Sequence, residues 1–148
     1  MDLLTQPKNT GQCSLFCAAM LLGEKPVTVI AELGHNGQEV IEPKLPAPFC
    51  YRGICIEELQ DIFMRRGLVL VRFDAEPYWH VGKTKVTQYT REEGRARILK
   101  IIQARPAMLE GAGHMVAWDG ERVLDPIRGY VDIEDCHIMS VYVPVSLA

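Results

Sequence analysis

The apolar positions of this chain fall into blocks whose spacing changes from segment to segment, and each block predicts an element. The run Cys13-Ser-Leu-Phe-Cys-Ala-Ala-Met-Leu-Leu22 is apolar on almost every face and stops at Gly23. A helix with no polar side has to be buried, so this run predicts a core helix with a glycine stop. The arm before it, residues 1–12, holds Pro7, Asn9, Thr10 and Gly11 and supports neither a helical nor a strand period. A short second helix is expected over Thr28–Leu33, with Thr28 as its cap and Gly34 as its stop. Residues 35–55 contain Gly37, Pro43, Pro46, Pro48 and Gly53 and predict an ordered surface loop. Ile56, Leu59, Ile62 and Phe63 then recur at helical spacing. Glu57 and Glu58 lie in the first turn and Arg65 and Arg66 in the last, an order that complements the helix dipole and predicts a helix over Ile56–Arg66.

In the second half the period shortens. Leu68–Phe73 predicts a strand, and residues 74–89 are ambiguous, with β-prone pieces such as Lys85–Tyr89 and a Trp79-His80 pair that could line a cleft. Thr90-Arg-Glu-Glu93 is a capping box opening a helix that runs through Ala104 and ends before Pro106. A strand follows at Ala107–Glu110. His114–Trp118 and Arg122–Leu124 flank Asp119-Gly120, the signal of a type I′ hairpin. A last strand is expected over His137–Val143, and Pro144–Ala148 carries no signal. The pattern is α+β, a helical N-terminal half packed on a mostly antiparallel sheet.

Length and composition narrow the function classes. At 148 residues and 48% apolar content the expectation is a single domain over 1–148 with one compact core. Sixteen basic against 19 acidic residues give a net charge of -3, and no Lys/Arg run exceeds Arg65-Arg66, which argues against a nucleic-acid face. No window approaches the roughly 18 apolar residues of a membrane span, and the N-terminus lacks a secretory pattern. The expectation is a soluble, cytoplasmic protein with no membrane partner. Five cysteines, an odd number, fit reduced thiols better than a disulfide framework.

The candidate chemistry lies at two places. Cys13 stands where a polar, glycine-containing loop becomes an apolar helix, so its thiol can feel the unpaired N–H groups and the positive end of that helix, which favours thiolate. His114 starts one hairpin strand and Asp125 lies just past the other, a geometry that could bring imidazole to thiol and hold its ring. Cysteine, histidine and an orienting carboxylate make a nucleophilic triad. Each residue also has a plain alternative: Cys13 as a small core residue, His114 as a satisfied strand histidine, and Asp125-Pro126 as a turn. Gly111-Ala-Gly113 favours function, because a substrate-lining edge needs close backbone approach. Cys17, one turn deeper, is expected to be core. Cys50 and Cys55 could join Cys13 and Cys17 around zinc, but neither pair has the two-residue knuckle spacing, and no metal or cofactor is expected. His35, His80 and His137 have no assigned role.

These residues resemble the papain-like cysteine peptidases, and within them the double-glycine leader peptidases of bacteriocin exporters and their stand-alone relatives. The motifs are Cys13-Ser-Leu-Phe-Cys17-Ala-Ala-Met20, Arg105-Pro106-Ala-Met-Leu, Gly113-His114-Met-Val-Ala and Asp125-Pro126, in the family's order, with Glu57–Val71 similar to its intervening segment. The resemblance covers roughly residues 6 to 126 and implies a papain-like fold and a peptide or peptide-like substrate. It also implies catalytic Cys13, His114 and Asp125, with an upstream glutamine in the oxyanion hole. Gln6 precedes Cys13 by seven residues, one more than is usual in the family, and Gln12 is its rival for that role. Ser14 stands where the family has glycine, and the exporter's ATPase and membrane regions have no counterpart. Hydrolysis and acyl transfer both remain open. The alternatives from other classes are a catalytically silent papain-like binding module and a zinc-stabilised interaction domain.

Overall fold

The computed structural model describes residues 1–148. Four α-helices, α1 (Cys13–Leu22), α2 (Pro26–Leu33), α3 (Ile56–Arg65) and α4 (Arg91–Ile101), accompany eight strands. These are β1 (Leu68–Asp74), β2 (Tyr78–Val81), β3 (Thr84–Thr87), β4 (Ala107–Gly111), β5 (His114–Trp118), β6 (Val123–Asp125), β7 (Gly129–Val131) and β8 (Ser140–Ser146). Six of them form one sheet in the order β1-β8-β4-β5-β6-β7, each neighbouring pair antiparallel, while β2 and β3 form a separate hairpin.

Both faces of the large sheet are covered. Met108, Met115, Ala117, Leu124 and Tyr142 pack with α1 and with Leu59, Ile62 and Phe63 of α3. Ala107, Leu109, Val116, Trp118, Val123, Val141 and Val143 pack with Ile98 and Ile102 on the α4 side. Successive strand residues point to opposite faces, so a strand covered on both sides has to be apolar at consecutive positions, as β4 and β5 are. The α1 helix is enclosed as its sequence predicts, with Leu15 and Cys17–Ala19 fully buried. It ends in a Schellman-type turn, where Gly23 is left-handed (φ 65°) and Glu24 N–H reaches Ala19 C=O at 3.0 Å. No single helix is long and apolar enough to cross a membrane.

Several boundaries differ from expectation. The α2 helix begins at Pro26, not Thr28, because proline is pre-organised for the first helical position and needs no N–H partner there; Lys25, not Thr28, is the cap residue. The Thr90–Glu93 capping box forms reciprocally, at 3.2 and 3.0 Å. Its helix nevertheless stops at Ile101 instead of reaching Ala104, which is left-handed (φ 55°) in the turn before Pro106. Asp119-Gly120 is not a two-residue turn: Trp118 and Val123 are the last pair, and the Asp119 carboxylate collects the N–H groups of Glu121 and Arg122 at 2.9 and 2.6 Å. The last strand runs over Ser140–Ser146 instead of His137–Val143. Pro144 is tolerated in it because Leu70, its partner on β1, turns both backbone groups outward to the Gln60 side chain, at 3.0 and 2.8 Å. That pair therefore makes no ladder bond to β1, and the N–H that proline lacks would point to the other side, past the end of the β4 pairing at Tyr142.

Candidate active site

Cys13 is the first residue of α1, with Gln12 at the cap position and the first helical bond running from Phe16 N–H to Gln12 C=O at 3.1 Å. The Cys13 amide therefore belongs to the helix turn that has no partner of its own within the helix. Its neighbour Ser14 donates to Ile54 C=O at 3.4 Å, tying the helix start to the segment before α3. Cys17, one turn on, is fully enclosed, and burial pushes its thiol well above the usual range, with Cys13 and Asp125 adding to the rise.

His114 owes its position to a turn other than the one expected. Gly111 pairs with His114, so Ala112 and Gly113 form a two-residue β-turn, and both have positive φ (38° and 75°), the requirement of type I′. The turn delivers the imidazole at the first position of β5. Ala117 pairs with Leu124 across the β5–β6 ladder, so continuing the register sets Asp125 opposite Val116 and diagonal to His114 on one face. Such diagonals lie within reach of long side chains. His114 Nε2 and Asp125 Oδ1 are 2.9 Å apart.

Asp125 is completely buried and carries the densest set of polar contacts in the site. Oδ1 accepts from His114 Nε2, from Ile127 N–H at 2.8 Å and from Arg128 N–H at 3.3 Å, while Oδ2 accepts from Arg128 Nε–H at 2.8 Å. Burial alone would raise its pKa; the Arg128 bond, the Ile127 amide and His114 outweigh it, and the carboxyl titrates below its ordinary value. His114 moves the other way. The neighbouring Cys13 thiol is the largest influence and raises its pKa, burial opposes this, and the Asp125 bond adds to the rise. With Nε2 committed to Asp125, Nδ1 is the ring nitrogen left for Cys13. His114 thus has the carboxylate as its hydrogen-bond partner and the thiol as a neighbour.

The two glutamines are both buried but differ in freedom. Gln12 Nε2 donates to Asn36 C=O at 2.9 Å, in a turn anchored through His35 to Glu58 of α3 at 2.6 Å. Gln6 is tethered by its backbone N–H to Pro126 C=O at 2.8 Å, beside Asp125. Its Nε2 makes one long contact to Thr10 Oγ1 at 3.4 Å, and its Oε1 is the one buried side-chain polar atom in the protein without a partner. A half-turn of the amide about its last bond exchanges the two atoms, so Gln6 holds an uncommitted amide edge where Gln12 does not.

A cavity of about 220 Å³ lies against His114, walled by Leu109, Gly111, Val116, Arg128 and His137 among others. His137 thus joins the site's surroundings. Trp79 and His80, which could have lined a cleft, stand exposed on the β2–β3 hairpin. The zinc alternative finds no donor set: all five cysteines are free, and no group of three or more His, Cys, Asp or Glu side chains is arranged to hold an ion. No sequence motif marks Arg128; its only signal is the spacing three residues after Asp125, where a side chain can fold back across a turn. No family model, no curated protein and no solved structure matches the chain.

Proposed function

We propose that the chain is a papain-like cysteine peptidase or related acyl-transfer enzyme acting on a peptide or peptide-like substrate. The observation that carries this reading is the His114–Asp125 pair, a ring nitrogen 2.9 Å from a buried carboxylate, with Cys13 near the ring on the first turn of a core helix. The placement of Cys13 on the first turn of a core helix, with His114 and Asp125 on adjacent antiparallel strands, supports the papain-like assignment.

Cys13 attacks the substrate carbonyl carbon as thiolate, with its proton on His114. The tetrahedral oxyanion is met by the Cys13 backbone N–H at the open helix end and by the Gln6 amide. As the C–N bond breaks, His114 delivers its proton to the departing amine, leaving an acyl thioester on Cys13. Water, or an acceptor amine, then gives a proton to His114 and attacks that thioester, releasing the acyl group and restoring the thiol. Asp125 keeps the ring in the tautomer that presents Nδ1 to the thiol. The five unpaired cysteines suit a reducing, cytoplasmic setting.

The test is turnover of a mixed peptide-amide and peptide-thioester panel followed by mass spectrometry. Cleavage or transfer that disappears in Cys13→Ala, with a trapped acyl adduct on Cys13, is the expected result. Turnover that survives Cys13→Ala would remove the proposed nucleophile.

A further inference from the structure

The Asp125 carboxylate has two unequal oxygens. Oδ1 receives three donors, from His114 and from the amides of Ile127 and Arg128, whereas Oδ2 has a single partner, Arg128 Nε–H at 2.8 Å. With Asp125 fully enclosed, the loss of that partner would leave an ionised oxygen buried and bare, and a carboxylate in that state rotates or takes up a proton. Either outcome turns the oxygen facing His114 or removes its charge. The same turn ties Gln6 to Pro126 C=O, so whatever fixes the turn also fixes the arm that holds Gln6.

Arg128 is a poor candidate for a mere packing residue. Its side chain is 55% exposed, only Nε of the guanidinium is bonded, and the group lies on the wall of the cavity beside His114. We propose that Arg128 is a positioning residue of this site, gripping the outer oxygen of Asp125 so that the inner oxygen stays charged and aimed at His114.

The titratable and charged groups around this pair are His114, Cys17 and Cys136 near Asp125, and Asp135, Cys136 and His137 near Arg128. The first of the influences lowering the Asp125 pKa is the Arg128 bond, so its removal lets that pKa climb. The consequence is directional: the pH at which the His114–Asp125 pair fails on acidification moves upward. For an arginine this exposed the shift is modest, and it is read as a loss of rate on the acid limb.

The inference uses the acyl-transfer reading for one of its two readouts only. The first is the acid limb of Cys13 alkylation by iodoacetamide, followed by peptide mass spectrometry in the full chain. The second, independent of reactivity, is the His114 Nε2 proton signal measured by NMR. In Arg128→Gln the acid limb moves up in pH and the Nε2 proton signal broadens or disappears. In Arg128→Lys, which supplies an N–H donor and the charge, both return toward wild type. If both variants fold, as monitored by urea melts, and leave the limb and the proton signal unmoved, Arg128 is only a turn staple and the proposal falls. Should Arg128→Gln not fold, Arg128→Met takes its place in the same two measurements: a raised acid limb with a broadened or lost proton signal supports positioning, and an unmoved limb with an intact proton signal overturns it. If Cys13 of the wild type alkylates no faster than the other thiols, the acyl-transfer reading fails by itself, and the His114 proton still decides the role of Arg128.

Discussion

Replacing Asp125 by asparagine isolates charge from geometry at this site. The amide has one oxygen and one NH2, and the structure dictates which goes where. Three donors converge on Oδ1, from His114 and from the Ile127 and Arg128 amides, against one on Oδ2, so the amide oxygen is pinned at the Oδ1 position and its NH2 faces Arg128 Nε. The donor pair left facing each other loses one charge-assisted hydrogen bond, nominally 1.5–3 kcal/mol. Because the Arg128 side chain is half exposed and can turn to water, the expected destabilisation is the lower part of that range, about 1.5 kcal/mol. The His114 tautomer survives, since its Nε2–H still meets an oxygen; what is lost is the negative charge that favours imidazolium. Activity should therefore fall by about one to two orders of magnitude, not by the roughly 10⁴ that follows when the amide forces the wrong tautomer. Asp125→Ala strips all four contacts and should cost about 3–5 kcal/mol and most of the activity. The sign of the pH effect follows from the lowered Asp125 pKa: the wild-type advantage over Asp125→Asn is fully present above about pH 4 and shrinks as pH falls through the native value. Urea melts at several pH values, with turnover on the same samples, make the comparison. An Asp125→Asn variant as inactive as Asp125→Ala, with no His114 Nε2 proton visible, would refute the pinned-oxygen argument.

Other outcomes follow from the same geometry. The raised pKa of His114 contributes stability that is present below the unfolded value, about 6.5, and is lost as pH rises through the native value, so His114→Ala should cost more stability at about pH 5 than at about pH 8.5 in urea melts. Cys13→Ala, at a partly buried first-turn position, should change stability little, whereas Cys17→Ser places a hydroxyl in the core and should cost about 1–3 kcal/mol, toward the lower end if it bonds the Cys13 carbonyl. A reversed order in urea melts would return Cys13 to the core. Ala112→Gly should stabilise the protein by roughly 0.5–1 kcal/mol, because a left-handed alanine is relieved at the type I′ turn; a loss of stability would show that the alanine is not strained.

The elements that could be read from the chain are those whose signal is local and unopposed. The α1 and α3 helices declare themselves by composition and by the order of charges, and Cys13 lies at the mouth of α1 because the polar arm before it cannot be helical. The bond between His114 and Asp125 was approachable from the spacing of two strands, although the hairpin register makes them diagonal and not opposite. What escaped was decided by partners distant in sequence or by competing local chemistry. Asp119-Gly120 looks like the tightest turn in the chain, yet the loop closes one residue later, with Asp119 N–H on Arg122 C=O and the Asp119 carboxylate on the Glu121 and Arg122 amides, and the turn that delivers His114 uses Ala112, a residue without turn preference. The shift of β8 toward the C-terminus depends on pairing with Leu68–Asp74, some seventy residues earlier in the chain, and on Gln60 relieving Leu70 opposite Pro144. The short β7 strand has no period of its own and exists because β6 gives it an edge. Gln6 and Gln12 were equivalent as letters; the Asn36 carbonyl and the Pro126 carbonyl distinguish them.

The central claim is that Cys13 is a nucleophile coupled to His114, and site-resolved alkylation tests it most directly. The protein is treated with limiting iodoacetamide near pH 6 and each of its five cysteines is quantified by peptide mass spectrometry. The account predicts that Cys13 is labelled well ahead of Cys17, Cys50, Cys136 and even the exposed Cys55, and that His114→Ala abolishes this lead. Labelling that simply follows exposure, with Cys55 first and no response to His114→Ala, would contradict it.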